Sequence, residues 1–396
     1  MLKKAYHALR ERFSLFAIVI FHLFVVTVLF HIAFFLFPQF ADLFNRFPSS
    51  VLRAFLSYVT YLLPFSLAET VILFLPFAVI GLIVISINVM RVEDNKSKKE
   101  QETLSDEELE ALEKRVRTAE KRSVRYLGNL FAAVLLFYIA FVLTFAPAYQ
   151  GTTLDEKLDI PRDAVSAEEL HRTARILVSK MDAVLDEIDF FHQGASIMPY
   201  SREEMNDKLN EAYRKASERY DFLPVLNSRL KYIAMSDLMT YTHISGVYSY
   251  YTGEANINLN YPDYTIPFTA AHEMAHQRGV AREEEASFTA FLVCNESDDP
   301  YIRYSAYLSV YEYVTSALYS ASPQLYSDLL AEVDLRIRYE QVAFSKFFKQ
   351  YADSTASKIS GAVNDTYLKM QGQTEGEKSY NLVVDLAVAY YIGGNE

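Results

Sequence analysis

Residues 14–37, SLFAIVIFHLFVVTVLFHIAFFLF, set the first constraint on the fold. The run is 24 residues long and carries no Asp, Glu, Lys or Arg. About 20 apolar residues in a helix cross the hydrocarbon of a bilayer, where every backbone polar group must be satisfied within the segment. The run exceeds a signal-peptide apolar region, and no small-x-small cleavage site follows it, so it reads as a retained transmembrane helix. Two more runs of span length follow at about 70–90 and 126–149. Residues 54–68, AFLSYVTYLLPFSLA, are uncharged but short and interrupted by Pro64, which suits an interfacial or re-entrant segment rather than a span.

Lys and Arg set the expected orientation. The tail has Lys3, Lys4, Arg10 and Arg12, the loop 38–69 has only Arg46 and Arg53, and the loop 91–125 has ten basic residues balanced by ten acids. Three spans with the tail and the charged loop inside place everything after residue 150 outside. The expected organisation is a membrane anchor over 1–150 and an extracytoplasmic domain over 151–396. The loop 91–125 reads as a solvated helix capped by Ser105. His22 and His31, inside the first span, read as imidazoles packed between helices.

Hydrophobic residues make up 51% of the chain and the formal net charge is −12, which disfavours nucleic acid as a partner. Residues 151–396 hold 22 Lys and Arg against 37 Asp and Glu, so the acid excess lies in the outer domain. The single cysteine, Cys294, excludes a disulfide within the chain and a Cys-rich metal site. It lies in an apolar helical run and reads as a buried hydrophobe.

The outer domain reads as mainly helical. SAEELHRTARILVSKMDAVLDEI and SREEMNDKLNEAYRKASERY each open on a capping box, Ser166 with Glu169 and Ser201 with Glu204. PYIRYSAYLSVYEYVTSALYSA and the stretch from Ser322 to Ser354 also read as helical. Residues 228–261 differ: they are rich in β-branched and aromatic residues, broken by Gly246 and Gly253, and predict two or three strands.

Directly after those strands comes YTIPFTAAHEMAHQRG, which predicts a helix capped by Thr265, with Pro267 near its first turn and Gly279 at its end. His272 and His276 are four residues apart and project from one face, where both can grip one ion. Glu273, one position round, can reach a water rather than the metal. The residue types suit that division: two neutral nitrogens for zinc and a carboxylate to accept a proton. A third ligand is needed, and the common position for a histidine, 282, is Arg, which stays protonated. Gly279 permits a reversal, and EEEASFTAFLVC then reads as a second helix with its acids in the first turn. Glu283 is the first choice as third ligand and Glu285 the second.

HEMAHQRGVAREEEASF resembles a bacterial membrane family with the signature H-E-x-x-H-Q-x-G-x-x-x-E-x-E-A-N, a domain of unknown function that is zincin-like in its motif. The hydrophobic start, TGEANINLN at 252–260 and NDTYLKMQGQTEGEKSY at 364–380 extend the similarity over most of the chain. Ser287 stands where the signature has Asn. Zincins with E-x-x-A-D use the first Glu as ligand, which again favours Glu283. The resemblance implies a gluzincin-type peptidase and supplies no substrate.

The reading is therefore a three-helix membrane anchor and a mainly α, α+β zincin-like domain that hydrolyses peptide bonds outside the membrane. Its donor for the developing oxyanion is sought among His243, Tyr367 and Tyr380. Ala255, Asn256, Ile257 and Asn258 are candidates to pair with an extended peptide. The expected partners are a peptide or protein substrate and the lipid bilayer. The rival is a membrane-anchored binding or scaffold protein whose metal site is structural or lost. An intramembrane protease is disfavoured because HEMAH lies far from any apolar run of span length.

Overall fold

A computed structural model describes residues 9–97, 106–160, 164–192, 194–352, 354–371, 373 and 382–393. The candidate cap Ser105 and the candidate donor Tyr380 lie outside the described residues. The chain divides into two units, residues 1–33 with 68–143 and residues 34–67 with 144–396.

The first unit holds the apolar helices. α1 spans Leu15–Leu36. In the second unit, a short helix Pro38–Phe44 and a π turn Asn45–Ser49 lead into α2, Ser50–Tyr61. α3 spans Leu67–Ser97 and α4 spans Asp106–Thr144. Three stretches, Leu15–Leu36, Leu67–Asn88 and Val116–Thr144, are long and apolar enough to cross a membrane. The third ends before residue 149: Phe145 leaves helical geometry, and Ala146–Gln150 starts a separate short helix with a proline in its first turn. Inside the first unit, Ala17, Ile20, Ala132, Leu135 and Ile139 form the core of the α1–α4 contact. Gly128 lies so close to Phe13 that a Cβ would stand 2.8 Å from its ring, the close approach that small residues permit between membrane helices. His31 Nδ1 lies 2.9 Å from the Tyr138 hydroxyl of α4, so that imidazole is packed between helices as expected. His22 is not: it is exposed, and its Nδ1 lies 2.7 Å from the Ile18 carbonyl of its own helix.

The second unit is built on helices around a small sheet. α5, Ala167–Leu185, and α6, Arg202–Arg219, open on the expected capping boxes at Ser166 and Ser201. β1 is Lys231–Tyr232, β2 is Gly246–Ser249 and β3 is Glu254–Ile257. The strand order is β1-β3-β2, with β1 parallel and β2 antiparallel to β3. α7, Thr265–Gln277, packs on β3 and β2. Thr265 is not its cap; its hydroxyl donates to the Pro262 carbonyl. α8 spans Glu283–Asn295 and α9 spans Pro300–Ala321. α10, Pro323–Leu330, and α11, Leu335–Phe348, divide the stretch after Ser322. α12, Thr355–Met370, and α13, Val383–Ile392, come last, and two short helices, Leu154–Leu158 and Ser236–Thr240, lie earlier in the unit. The core runs between α5, α7, α8, α9 and α13, with Leu177, Met181, Met274, Phe288, Phe291 and Tyr304 fully buried. Cys294 is buried in it, and burial pushes its thiol well up.

Residues 34–67 follow the apolar stretch of α1 in sequence but belong with the second unit. The physical reason is a polar inner face. Arg53 is 2% exposed; its guanidinium donates to Asn45 Oδ1 at 2.8 Å and to the Thr144 carbonyl at 2.6 Å. Lys231 Nζ donates to the Thr60 and Leu63 carbonyls at the end of α2. Glu254 accepts from the Leu67 N–H at 3.0 Å, and Ser66 donates to Asn256 at 2.7 Å. These bonds cap the end of α2 and the turn after it with buried groups from the sheet.

Candidate metal centre

α7 brings His272 and His276 to one face, with ring centroids 4.6 Å apart. The helix stops at Gln277, and Gly279 takes φ +91°, the left-handed turn that the sequence implies. The reversed chain starts α8 at Glu283, and the carboxylate returns to the histidines. Glu283 Oε2 lies 3.1 Å from His272 Nε2 and 3.5 Å from His276 Nε2. One ligand atom from each of the three residues lies within 4.8 Å of the others. Ligands at about 2.0–2.1 Å around a tetrahedral centre stand roughly 3.3 Å apart, so this donor set fits a zinc-sized ion.

The outward-facing ring nitrogens have partners of the kind that orient metal-bound imidazoles. His276 Nδ1 lies 2.7 Å from the Val280 carbonyl. His272 Nδ1 lies 3.1 Å from Ser287 Oγ. Ser287 was the departure from the family signature, and its hydroxyl occupies that supporting position. Burial opposes charge on all three groups. At His276 the neighbouring Glu283 carboxylate outweighs it and raises the imidazole to about 9. His272 falls below its ordinary value, chiefly through burial. Burial also opposes ionisation of Glu283, yet the His276 charge and the bonds from both rings hold its carboxyl well below the ordinary range.

The other two acids of the EEE run point elsewhere. Glu285 Oε1 accepts from Arg282 at 2.8 Å and from the Leu154 N–H at 2.9 Å. Glu284 faces Gln373 at 3.5 Å. Both are 4% exposed, so they are buried partners of the chain rather than solvent-facing caps. Arg282, at the common histidine position, also donates to the Tyr149 and Gly151 carbonyls at 2.9 Å each.

Glu273 is buried on the sheet side of α7. Burial pushes its carboxyl up to about 8, partly offset by a hydrogen bond from the Tyr248 N–H. Its Oε2 is buried without a hydrogen-bond partner among the described residues. Gly246 makes this placement possible: a Cβ there would stand 2.7 Å from both Cγ and Oε1 of Glu273. Aromatic rings wall the centre. The Phe145 ring lies 5.9 Å from His276 and 5.2 Å from Tyr248, and Tyr149 lies 6.1 Å from Tyr367.

The remaining candidates separate. Tyr367 is half-buried, and its hydroxyl is raised above the ordinary value chiefly by desolvation, with the Glu283 carboxylate adding to the shift. Tyr313 on α9 is placed similarly: burial, Glu312 and Glu283 raise it to about 12. His243 is held elsewhere, with Nε2 2.8 Å from the Tyr351 carbonyl and its ring 4.7 Å from Phe348. Ala255, Asn256, Ile257 and Asn258 are corrected as a peptide-pairing strand. β3 is the inner strand, paired on both sides, and all four residues are buried. The outer strand beside Glu273 is β2. Sequence reading missed Ser287, Gly246, Tyr248, Phe145 and Tyr313. Of these, Gly246 has a sequence trace as a break in the strand region and Ser287 as the departure from the signature; the other three have none.

Fold and site thus define a mainly helical protein with membrane-length helices, a three-stranded sheet and a two-histidine, one-glutamate cluster. Residues 44–388 match the family described as “Protein of unknown function (DUF3810)”, and the chain belongs to that family. No curated protein and no solved structure matches it.

Proposed function

We propose that this protein is a membrane-anchored zinc metallopeptidase, with the ion held by His272, His276 and Glu283. The carrying observation is the convergence of two Nε2 atoms on one Glu283 oxygen, beside a buried Glu273 whose Oε2 lacks a partner. When bound, the ion supplies Lewis acidity for the scissile carbonyl and for the attacking water. Glu273 accepts the water proton at its carboxylate and returns it to the leaving amine. The Tyr248 N–H holds that carboxylate in place, and Gly246 lets it lie against β2. The outer edge of β2 then offers backbone groups to an extended peptide. Tyr367 and Tyr313, both near Glu283, are the candidates to donate to the developing oxyanion. The Lys and Arg distribution supports an extracytoplasmic site.

The test uses the full chain purified in detergent. Wild type is expected to carry stoichiometric zinc and His276→Ala to lose it. Glu273→Gln should keep the zinc while cleavage of a peptide library disappears. Zinc retained by His276→Ala would refute the site. Cleavage surviving Glu273→Gln would refute the role of that carboxylate.

A further inference from the structure

α2 is inside out. Surface helices of water-soluble domains turn an apolar stripe to the core and a polar stripe to solvent. Here Arg53, Ser57 and Thr60, spaced for one helical face, are only 2%, 3% and 3% exposed. The Arg53 and Ser57 side chains and the Thr60 carbonyl bond to the rest of the second unit. The opposite stripe is Val51, Phe55, Tyr58, Val59 and Leu62. Its side chains are 68%, 62%, 53%, 50% and 80% exposed. Such a contiguous apolar stripe on a surface marks an interaction face.

Chain continuity identifies what covers it. The segment that contains α2 is entered directly from α1, which ends at Leu36, and leaves directly into α3, which begins at Leu67. Both flanking helices are long and apolar enough to cross a bilayer. α2 itself, at 12 residues, is too short to do so. A short helix tethered at both ends to spans, with its apolar stripe outward, meets the conditions for lying in the interface plane. It departs from the ordinary case in one respect: its polar stripe is satisfied by protein rather than by water.

We propose that α2 seats the second unit in the lipid leaflet, its outer stripe buried among acyl chains, and so fastens the metal centre to the membrane surface. Two hydrogen bonds and one close contact make the fastening. Gln277, the residue after His276, donates to Ser57 Oγ at 3.1 Å. Asn45 donates to the Gly279 carbonyl at 2.9 Å. The Arg53 guanidinium lies over Gly279, leaving no room for a Cβ. The turn that brings Glu283 back to the histidines is therefore built against the lipid-facing helix. This inference rests on the apolar helices crossing a bilayer and is independent of whether the centre is catalytic.

Cys294 is buried, so single labelling sites can be added to the full chain. Phe55→Cys, Leu62→Cys and, as a control on the exposed loop after α8, Asp298→Cys are labelled with an environment-sensitive fluorophore. Each is reconstituted in phosphatidylcholine vesicles. Lipids brominated high on the acyl chain are expected to quench labels 55 and 62 several-fold more than label 298, and aqueous iodide in the reverse order. Equal lipid quenching at all three positions overturns the proposal. So does self-quenching at position 55 that scales with protein density while brominated lipid has no effect, since that assigns the stripe to a second copy. If either apolar variant aggregates, Val51→Cys and Val59→Cys probe the same stripe.

Discussion

Ser287 holds the ring of His272 from the side opposite Glu283, and its contribution can be isolated. Removing an outer partner of a metal-bound histidine typically costs about 10- to 100-fold in metal affinity. Ser287→Ala is expected to weaken zinc binding by that order in a chelator competition, while Ser287→Asn, which keeps a polar partner for the ring, should recover most of it. Gly246 acts on Glu273 instead. In Gly246→Ala the added methyl would fall 2.7 Å from Glu273 Cγ and Oε1 and 2.9 Å from Thr269 Cγ2, so the carboxylate must move. A displacement near 1 Å at a reacting group costs on the order of 100-fold in rate. The expected result is a fall in kcat of that size with zinc content unchanged. Zinc loss in Gly246→Ala would show that the strand supports the metal cluster and not the carboxylate alone.

At the scale of elements, the α7–Gly279–α8 reversal was the most legible part of the chain. H-E-x-x-H spacing, a glycine past the helix end and an acid opening the next helix are local signals, and each appears as read. What could not be read was whatever depends on residues far apart in sequence. The inner position of β3 is set by β1, two residues long and paired to it in parallel, which no period-2 pattern of that length announces. Arg53 lies 225 positions from Arg278, so its role at the turn had no sequence signature. The prediction at this scale is Gly279→Ala. A left-handed backbone costs a non-glycine residue roughly 1–2 kcal/mol, and contact with the Arg53 guanidinium adds to that. Its melting temperature should fall by several degrees relative to wild type in the same detergent. An unchanged melting temperature would mean that Arg53 does not pack there.

Across the whole second unit, polar groups are buried in numbers that tie its stability to pH. Glu312 on α9, half-buried, belongs with them. Burial raises its carboxyl to about 7, the Glu340 charge adding to the shift and a hydrogen bond from Tyr264 opposing it. The folded state therefore holds a proton that the unfolded chain releases near 4.5. Its contribution is complete below pH 4.5 and is lost as pH rises to about 7. Glu312→Gln cannot ionise and keeps an acceptor for Tyr264. Thermal scans should show the variant more stable than wild type above pH 7, with the difference closing towards pH 4.5. A difference constant across that range would show that Glu312 does not titrate in this window.

The bonds that fasten α2 also bear on how the molecule can be made. Lys231, Glu254 and Gln277 lie in the part of the chain after residue 150, yet their partners are Thr60, Leu63, Leu67 and Ser57. The ribosome delivers those partners first, more than 160 residues before Lys231 emerges. Synthesis in that order gives the late sheet a ready surface to close on. A chain begun at residue 151 has no such surface: a buried ammonium, carboxylate and carboxamide would each lose a partner, at a cost of about 1–3 kcal/mol apiece, keeping the Lys231–Glu254 pair at 4.0 Å and the Gln277 bond to the Gly253 carbonyl. Residues 34–67 are thus part of the surface on which the later half of the second unit closes.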